Sequence, residues 1–469
     1  MRAKYFSLIF LSLLFVLGDP SSAGAQNGQI AGSVFTVNDT GDSHDSLPGD
    51  GSCVDSGGHC TLRAAIEESN ATVAGDAIIF SLPQPSMINL SLGALSITQN
   101  LEIVGPGARR LTVQRSTVTG TPNFRVFHFP AGQSRVKIHG ISIRNGNDSA
   151  GGGVYVQEGN SVGFYDVVIA GNSATAGGGI ANFGTVSLVR SLVNSNIATQ
   201  QGGAITNSSP NANIGIFSST LTDNMAAFGG ALDNAGLARL VNDTISRNSA
   251  SSGSSSIFSN PLGTVKVMNT IIGRDLGQSG PALQGQFESY GNNIVTNAQG
   301  STGFTNGVNN DQVSNNNVID PMLGPLSDNG GQTDTMALLS GSPAIGNANP
   351  CVINNCSQFP GVVRAERDQR RYLRFLGGAS VDIGAFEQLS FVPVEDGDFT
   401  VGVIGGSPSR YAGSLVILTN ARTMEQKFAR IRIDGSIHFQ HILGSDDYVM
   451  DVRAKRSGWL TPLVIPIEF

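Results

Sequence analysis

Four versions of one phrase recur down the middle of this chain: "NSATAGGGIAN" (Asn172–Asn182), "NIATQQGGAITN" (Asn196–Asn207), "NMAAFGGALDN" (Asn224–Asn234) and "NSASSGSSSIFSN" (Asn248–Asn260). The leading asparagines, with Asn145 before them, are spaced by 27, 24, 28 and 24 residues, and the closing ones by 25, 27 and 26. Two ladders in step at about 25 residues mean a structural repeat. Nothing between them has helical periodicity. Apolar residues alternate instead, as in Val154/Val156, Val167/Ile169, Val186/Leu188 and Val265/Val267, in short runs broken by Gly, Asn and Ser. Short strands, a 25-residue unit and no helices describe one coil of a parallel β-helix, its strands stacked ~4.8 Å apart on those of the coil before. The recurring phrase is then a corner. Glycine supplies positive φ, asparagine tolerates it, and stacked asparagines can pair amide to amide along the axis.

The chain begins with two positive charges, Arg2 and Lys4, an apolar run from Tyr5 to Leu17, and Ala23-Gly24-Ala25. That is the pattern of a secretory signal peptide cut before Gln26, the apolar run being shorter than the ~20 residues of a spanning helix. The mature chain is expected to be exported, monomeric and without a membrane span. Its 60 glycines and 13% charged residues fit an elongated repeat, and 40% hydrophobic residues exclude a disordered chain. A net charge of −7 with no basic stripe argues against nucleic acid. The four cysteines form two close pairs, Cys53/Cys60 and Cys351/Cys356, so local disulfides are the simplest of the three connectivities.

A solenoid needs protected ends. "CTLRAAIEESNATV" (Cys60–Val73) reads as an amphipathic helix, with Leu62, Ala65, Ile66 and Ser69 on one face and Arg63, Glu67 and Glu68 on the other. It is expected to be a lid on the first coil, stapled by Cys53–Cys60. Around Cys351–Glu387 the repeat fades and charge rises, as expected of a C-terminal cap. Residues 390–469 carry alternating runs such as "FTVGVIG" and "SLVILTN" and read as a small antiparallel β-sandwich. The expected organisation is a leader over 1–25, an N-terminal cap over 26–75, a β-helix with its cap over 76–389, and the small domain over 390–469.

"CTLRAAIEESN" with the preceding "DGSC" resembles the CSLREA-type N-terminal motif of secreted bacterial repeat proteins, with Ala64 where the motif usually has Glu. "DPMLGPLSDNGGQTDTMALLSGSPAIG" (Asp320–Gly346), "DQR" (Asp368–Arg370) and "VDIGAFE" (Val381–Glu387) resemble the choice-of-anchor Q type of β-helix protein. In that type a cysteine often stands where this chain has Val381, a departure that puts the usual long-range bridge in question and leaves the local Cys351–Cys356 pair as its expected replacement. The "GGAI" and "GGAL" phrases are similar to polymorphic outer-membrane protein repeats, and the C-terminal tail resembles carboxypeptidase-regulatory-like modules. Together these resemblances imply an all-β, right-handed, pectin-lyase-like parallel β-helix, secreted or held at a bacterial surface. They imply no reaction.

The residues themselves carry little catalytic signal. A glycoside hydrolase needs two carboxylates ~5–9.5 Å apart, and the nearest candidates, Asp223, Asp233 and Asp243, fall at different points of the repeat. His139 stands alone before Gly140, with no lyase motif beside it. Asp39, Asp42, Asp45 and Asp50 in "VNDTGDSHDSLPGDGSC" offer oxygens to calcium, though their spacing is not that of an EF-hand. In "VVRAERDQRRYLRF" the forks of Arg364, Arg367, Arg370 and Arg371 suit the carboxylates or sulfates of an anionic glycan, and Tyr372 a sugar ring; the competing reading is a set of structural ion pairs. No catalytic, cofactor or metal residue is assigned. The expectation is a non-enzymatic adhesion or glycan- and surface-binding protein, whose partner is an extracellular polysaccharide or surface protein. The alternative is a polysaccharide lyase or glycoside hydrolase of the same fold.

Overall fold

The structure, a computed structural model, describes residues 32–273, 281–316, 318–353, 356, 359, 365–372, 374 and 380–388, and seven strands between Val392 and Ile465. The expected leader and Arg364 lie outside the described residues. The chain winds into a parallel β-solenoid of about eight turns. One ladder runs from Val34–Val37 through Arg135–His139, Ser161–Tyr165, Thr185–Val189, Asn213–Phe217 and Leu237–Val241 to Thr264–Met268. A second includes Ser142–Arg144, Val168–Ala170, Leu192–Asn194, Thr220–Thr222 and Thr244–Ser246. The third stacks Phe127–Phe129, Val154–Val156, Ile180–Asn182, Ile205–Asn207, Leu232–Asn234 and Ile257–Ser259. A short fourth ladder, Asn147–Ala150 to Ser249–Ala250, edges the middle coils.

Inward-facing aliphatics form continuous columns, such as Val162–Val186–Ile214–Ala238–Val265 and Ile180–Ile205–Leu232–Ile257, all at most 1% exposed. Each such Val, Leu or Ile contributes about 1.5–3 kcal/mol on burial. The asparagine ladder is real and buried. Nδ2 of Asn172 donates to Oδ1 of Asn196, Asn196 to Asn224, and Asn224 to Asn248, each at 3.0 Å. Each Oδ1 also accepts the backbone N–H one coil earlier. These asparagines are not the positive-φ residues. That role falls to the residue before each: Asn145, Gly171, Ser195, Asp223 and Arg247. Asn145 is therefore one residue out of the ladder, and the N–H of Gly146 occupies its place, donating to Asn172. Among the closing asparagines, Asn182, Asn207 and Asn234 are joined at 2.7 Å, but Ser259, not Asn260, pairs with Asn234. The paired glycines behave as expected: Gly202 and Gly229 have φ of 61° and 59°, and a Cβ there would meet the carbonyl oxygens of Ile205 and Leu232 at 2.2 and 2.3 Å.

A third column was not anticipated. Oxygens of Ser191, Ser219, Asp243, Thr270, Asn293 and Asp311 each accept a backbone N–H from the preceding coil. The one α-helix among the described residues, Leu62–Asn70, begins at Thr61, whose Oγ1 accepts from the N–H of Ala64. It packs against Val34–Val37, Asp76–Phe80 and Leu95–Ser96. Its supposed polar face is not exposed. Arg63 pairs with Asp42 at 2.8 Å, and Glu68 accepts from the N–H groups of Gly49 and Gly51, because the acidic loop folds over the helix. Both local disulfides, Cys53–Cys60 and Cys351–Cys356, are formed.

The described residues between 320 and 388 pack against the side of the coil stack. Val189, Phe217, Val241 and Met268 form an outward apolar column, and Leu323, Met336, Leu338, Phe359, Ile383 and Phe386 cover it. An uncovered column of that size would be an exposed apolar patch. Polar ties run along the seam: Arg109 to Asp328, Gln369 to Thr220, Arg374 to Ser218, and Asn269 to Asn349. Beyond Val392 the pairing becomes antiparallel, in one group of three strands and another of four.

Candidate binding face

The outer face of the third ladder places one residue per coil in a line: His128, Tyr155, Ala181, Thr206, Asp233 and Phe258. Strand alternation dictates this, since their neighbours Val154, Ile180, Ile205, Leu232 and Ile257 face the core. His128 stacks on Tyr155 with centroids 5.7 Å apart, and Phe183 meets Tyr155 edge-on at 5.6 Å. The Arg125 guanidinium lies 4.3 Å above the Tyr155 ring, paired with Asp148 at 2.9 Å, while its Nη1 is buried without a hydrogen-bond partner. Burial, then the charge of Arg125, holds His128 below its ordinary range. At the other end Phe228 and Phe258 are 5.7 Å apart. Between the two aromatic groups lie the small residues Ala181 and Thr206, and then Asp233. The rise of ~4.8 Å per coil is comparable to that of a sugar ring in an extended polysaccharide.

Asp233 is 5% exposed, its Oδ2 has no partner, and burial alone pushes its carboxyl up to about 6. The other two acids considered for catalysis are elsewhere. Asp223 sits at a corner, 2.8 Å from Arg247. Asp243 is fully buried in the third column; burial drives it well above the usual carboxylate range, against N–H donors from Ser219 and Val241. His139 is not alone: Glu102 lies 3.0 Å away and Tyr165 stacks on it at 4.7 Å.

The arginine cluster is brought together, but against the flank. Asp166 receives Nε and Nη2 from both Arg190 and Arg371, at 2.9–3.2 Å. Arg370, 6% exposed, pairs with Asp368 and lies over the rings of Phe386 and Tyr372 at 3.5 and 4.2 Å. Arg367 donates to the carbonyl of Arg371, and Tyr372 is buried. Carboxylates thus hold two of these arginines, Asp368 on Arg370 and Asp166 on Arg371. In the acidic loop, Asp42 takes Arg63 and the N–H groups of Ser91 and Leu92, while Asp39, Asp45 and Asp50 accept from Gly41, Val54 and Ser52. Among the described residues no three His, Cys, Asp or Glu side chains converge as a metal site would require. No helix there is long and apolar enough to cross a membrane.

The aromatic face was missed in the sequence because its members are 25 or so residues apart and each looks like a lone ring. The usable signal was their common place, one residue after the aliphatic that follows each glycine cluster: Tyr155, Thr206, Asp233, Phe258. No family model matches this chain, and neither does any curated protein or solved structure.

Proposed function

We propose that this chain is a non-enzymatic, exported solenoid that holds an extended polysaccharide along the outer face of its third ladder. The observation that carries this reading is the line of rings, His128, Tyr155 and Phe183 at one end and Phe228 and Phe258 at the other, flanking the small residues Ala181 and Thr206. Aromatic faces take the apolar face of a sugar, and beside them stand Arg125 and Asp233, each with a buried side-chain atom that has no hydrogen-bond partner. The two disulfides are compatible with export.

The resemblance to CSLREA-motif and choice-of-anchor Q proteins agrees with this reading, and within it the coil is right-handed, the Leu62–Asn70 helix is its N-terminal lid and the antiparallel strands past Val392 form a separate sandwich. Of the arginine cluster, Arg371 keeps 40% of its side chain at the surface, and an anionic glycan would there compete with Asp166.

The test is retention of the purified chain on a panel of neutral and acidic polysaccharides, with new chain ends assayed in parallel. Tyr155→Ala and Phe258→Ala should each weaken retention about fivefold, the worth of one aromatic contact. New chain ends, or retention indifferent to both substitutions, would overturn the proposal.

A further inference from the structure

The carboxyl of Asp233 points away from the core, yet it is almost wholly covered and its Oδ2 has no partner. Four other outward acids of the solenoid differ: Asp148 has Arg125, Asp166 has Arg190, Asp223 has Arg247 and Glu102 has His139. Asp233 has none. The strands in register on either side, Ile205–Asn207 and Ile257–Ser259, present Thr206 and Phe258 to it. Neither strand, nor the turns over 227–231 and 234–236, contains a titratable or charged side chain. The nearest ion pair on the same face, Arg125–Asp148, is at the far end, beyond Thr206 and Ala181. The line therefore carries an uncompensated carboxyl beside a ring. Burying such a group without a counter-charge is unfavourable.

We propose that Asp233 is the recognition point for a free amino group on the bound polysaccharide, with the sugar rings against Phe228 and Phe258. This rests on the polysaccharide reading of the face and specifies its ligand as an amine-bearing glycan. A sugar hydroxyl would supply a hydrogen bond alone; an ammonium supplies the bond and the missing charge, and adjacent aromatic faces favour a cation further. A hard metal ion is a poorer fit, because it asks for six or more oxygens and this position offers one carboxyl and the hydroxyl of Thr206.

The test compares two ligands that differ only at the amine, a glucosamine hexamer and an N-acetylglucosamine hexamer, titrated calorimetrically against the full chain. Near neutral pH the free amine should bind about tenfold more tightly, the effect of one additional ion pair. The ratio should shrink below about pH 6, where Asp233 takes up a proton while the amine stays charged. That pH profile needs no substitution and so is independent of any folding defect. Asp233→Asn should bring the ratio close to one. Equal affinities in the unaltered chain, a preference that survives Asp233→Asn, or tighter binding of a lysine homopolymer than of the glucosamine hexamer would overturn the amine assignment. If neither hexamer nor any polysaccharide in the panel binds, the polysaccharide reading fails as well; if both hexamers bind equally, only the amine assignment fails.

Discussion

Asn196 shows what one residue does in this fold. Its side chain donates to Ile169 and Asn224 and accepts from Asn172, all within the wall of the solenoid. Asn196→Ala strands at least two buried polar groups at about 1–3 kcal/mol each. A loss of about 3 kcal/mol is expected in urea unfolding, against under about 1 kcal/mol for Asn260→Ala, whose residue is off the ladder. A similar cost for the two would deny the ladder its role. Asn145 and Asn260 follow the same spacing and still fall outside it. A shift of one residue turns a side chain to a different face, and spacing alone does not register that shift.

At the scale of elements, the strap formed by the described residues between 320 and 388 left its mark on the alternation. Four strands of the first ladder end in two consecutive apolar residues, Leu188-Val189, Ile216-Phe217, Leu240-Val241 and Val267-Met268. The first of each pair faces the core and the second faces outward, so the breach of alternation was a visible sign that something covers that flank. Charge then fixes where the strap lies. Asp166→Asn removes the anion shared by Arg190 and Arg371 and should weaken the docking of the strap by about 2 kcal/mol, less than for a fully buried pair because Arg371 keeps contact with solvent. Hydrogen exchange should quicken over 365–372 and 380–388 while the inward strands keep their protection. Uniform quickening, or none, would show that the strap is held by its apolar residues alone.

Over the whole molecule, buried carboxyls set the response to pH. Burial holds Asp243, Asp311, Asp382 and Glu387 above their ordinary values, and Asp233 at about 6. Asp166 is the reverse: burial opposes it, but Arg190 and Arg371 carry it below. For the first group the folded chain binds more protons than the unfolded one, so stability falls as pH rises through the folded values and is recovered on acidification. The contribution of Asp166 is present above its unfolded value and is lost as pH falls through its folded one. Calorimetric Tm should therefore rise from neutral pH to about pH 5 and decline in stronger acid. A steady fall on acidification from neutrality would contradict this balance.

The coil length, the parallel stacking, the inward aliphatic columns and the two local disulfides were written in the sequence, because each depends on residues near one another or repeated at a fixed interval. A period of about 25 with alternating apolar residues has few ways to bury its surface other than by stacking. Three things were left to the tertiary structure: which asparagine is in register, where the charged segment after Asp320 comes to rest, and which single rings and acids become neighbours. Each is a relation between coils. Arg371 meets Asp166 across 205 residues, and Asp233 lies between Thr206 and Phe258 only once three coils are wound. Proximity of that kind comes from the winding, which local propensity does not encode.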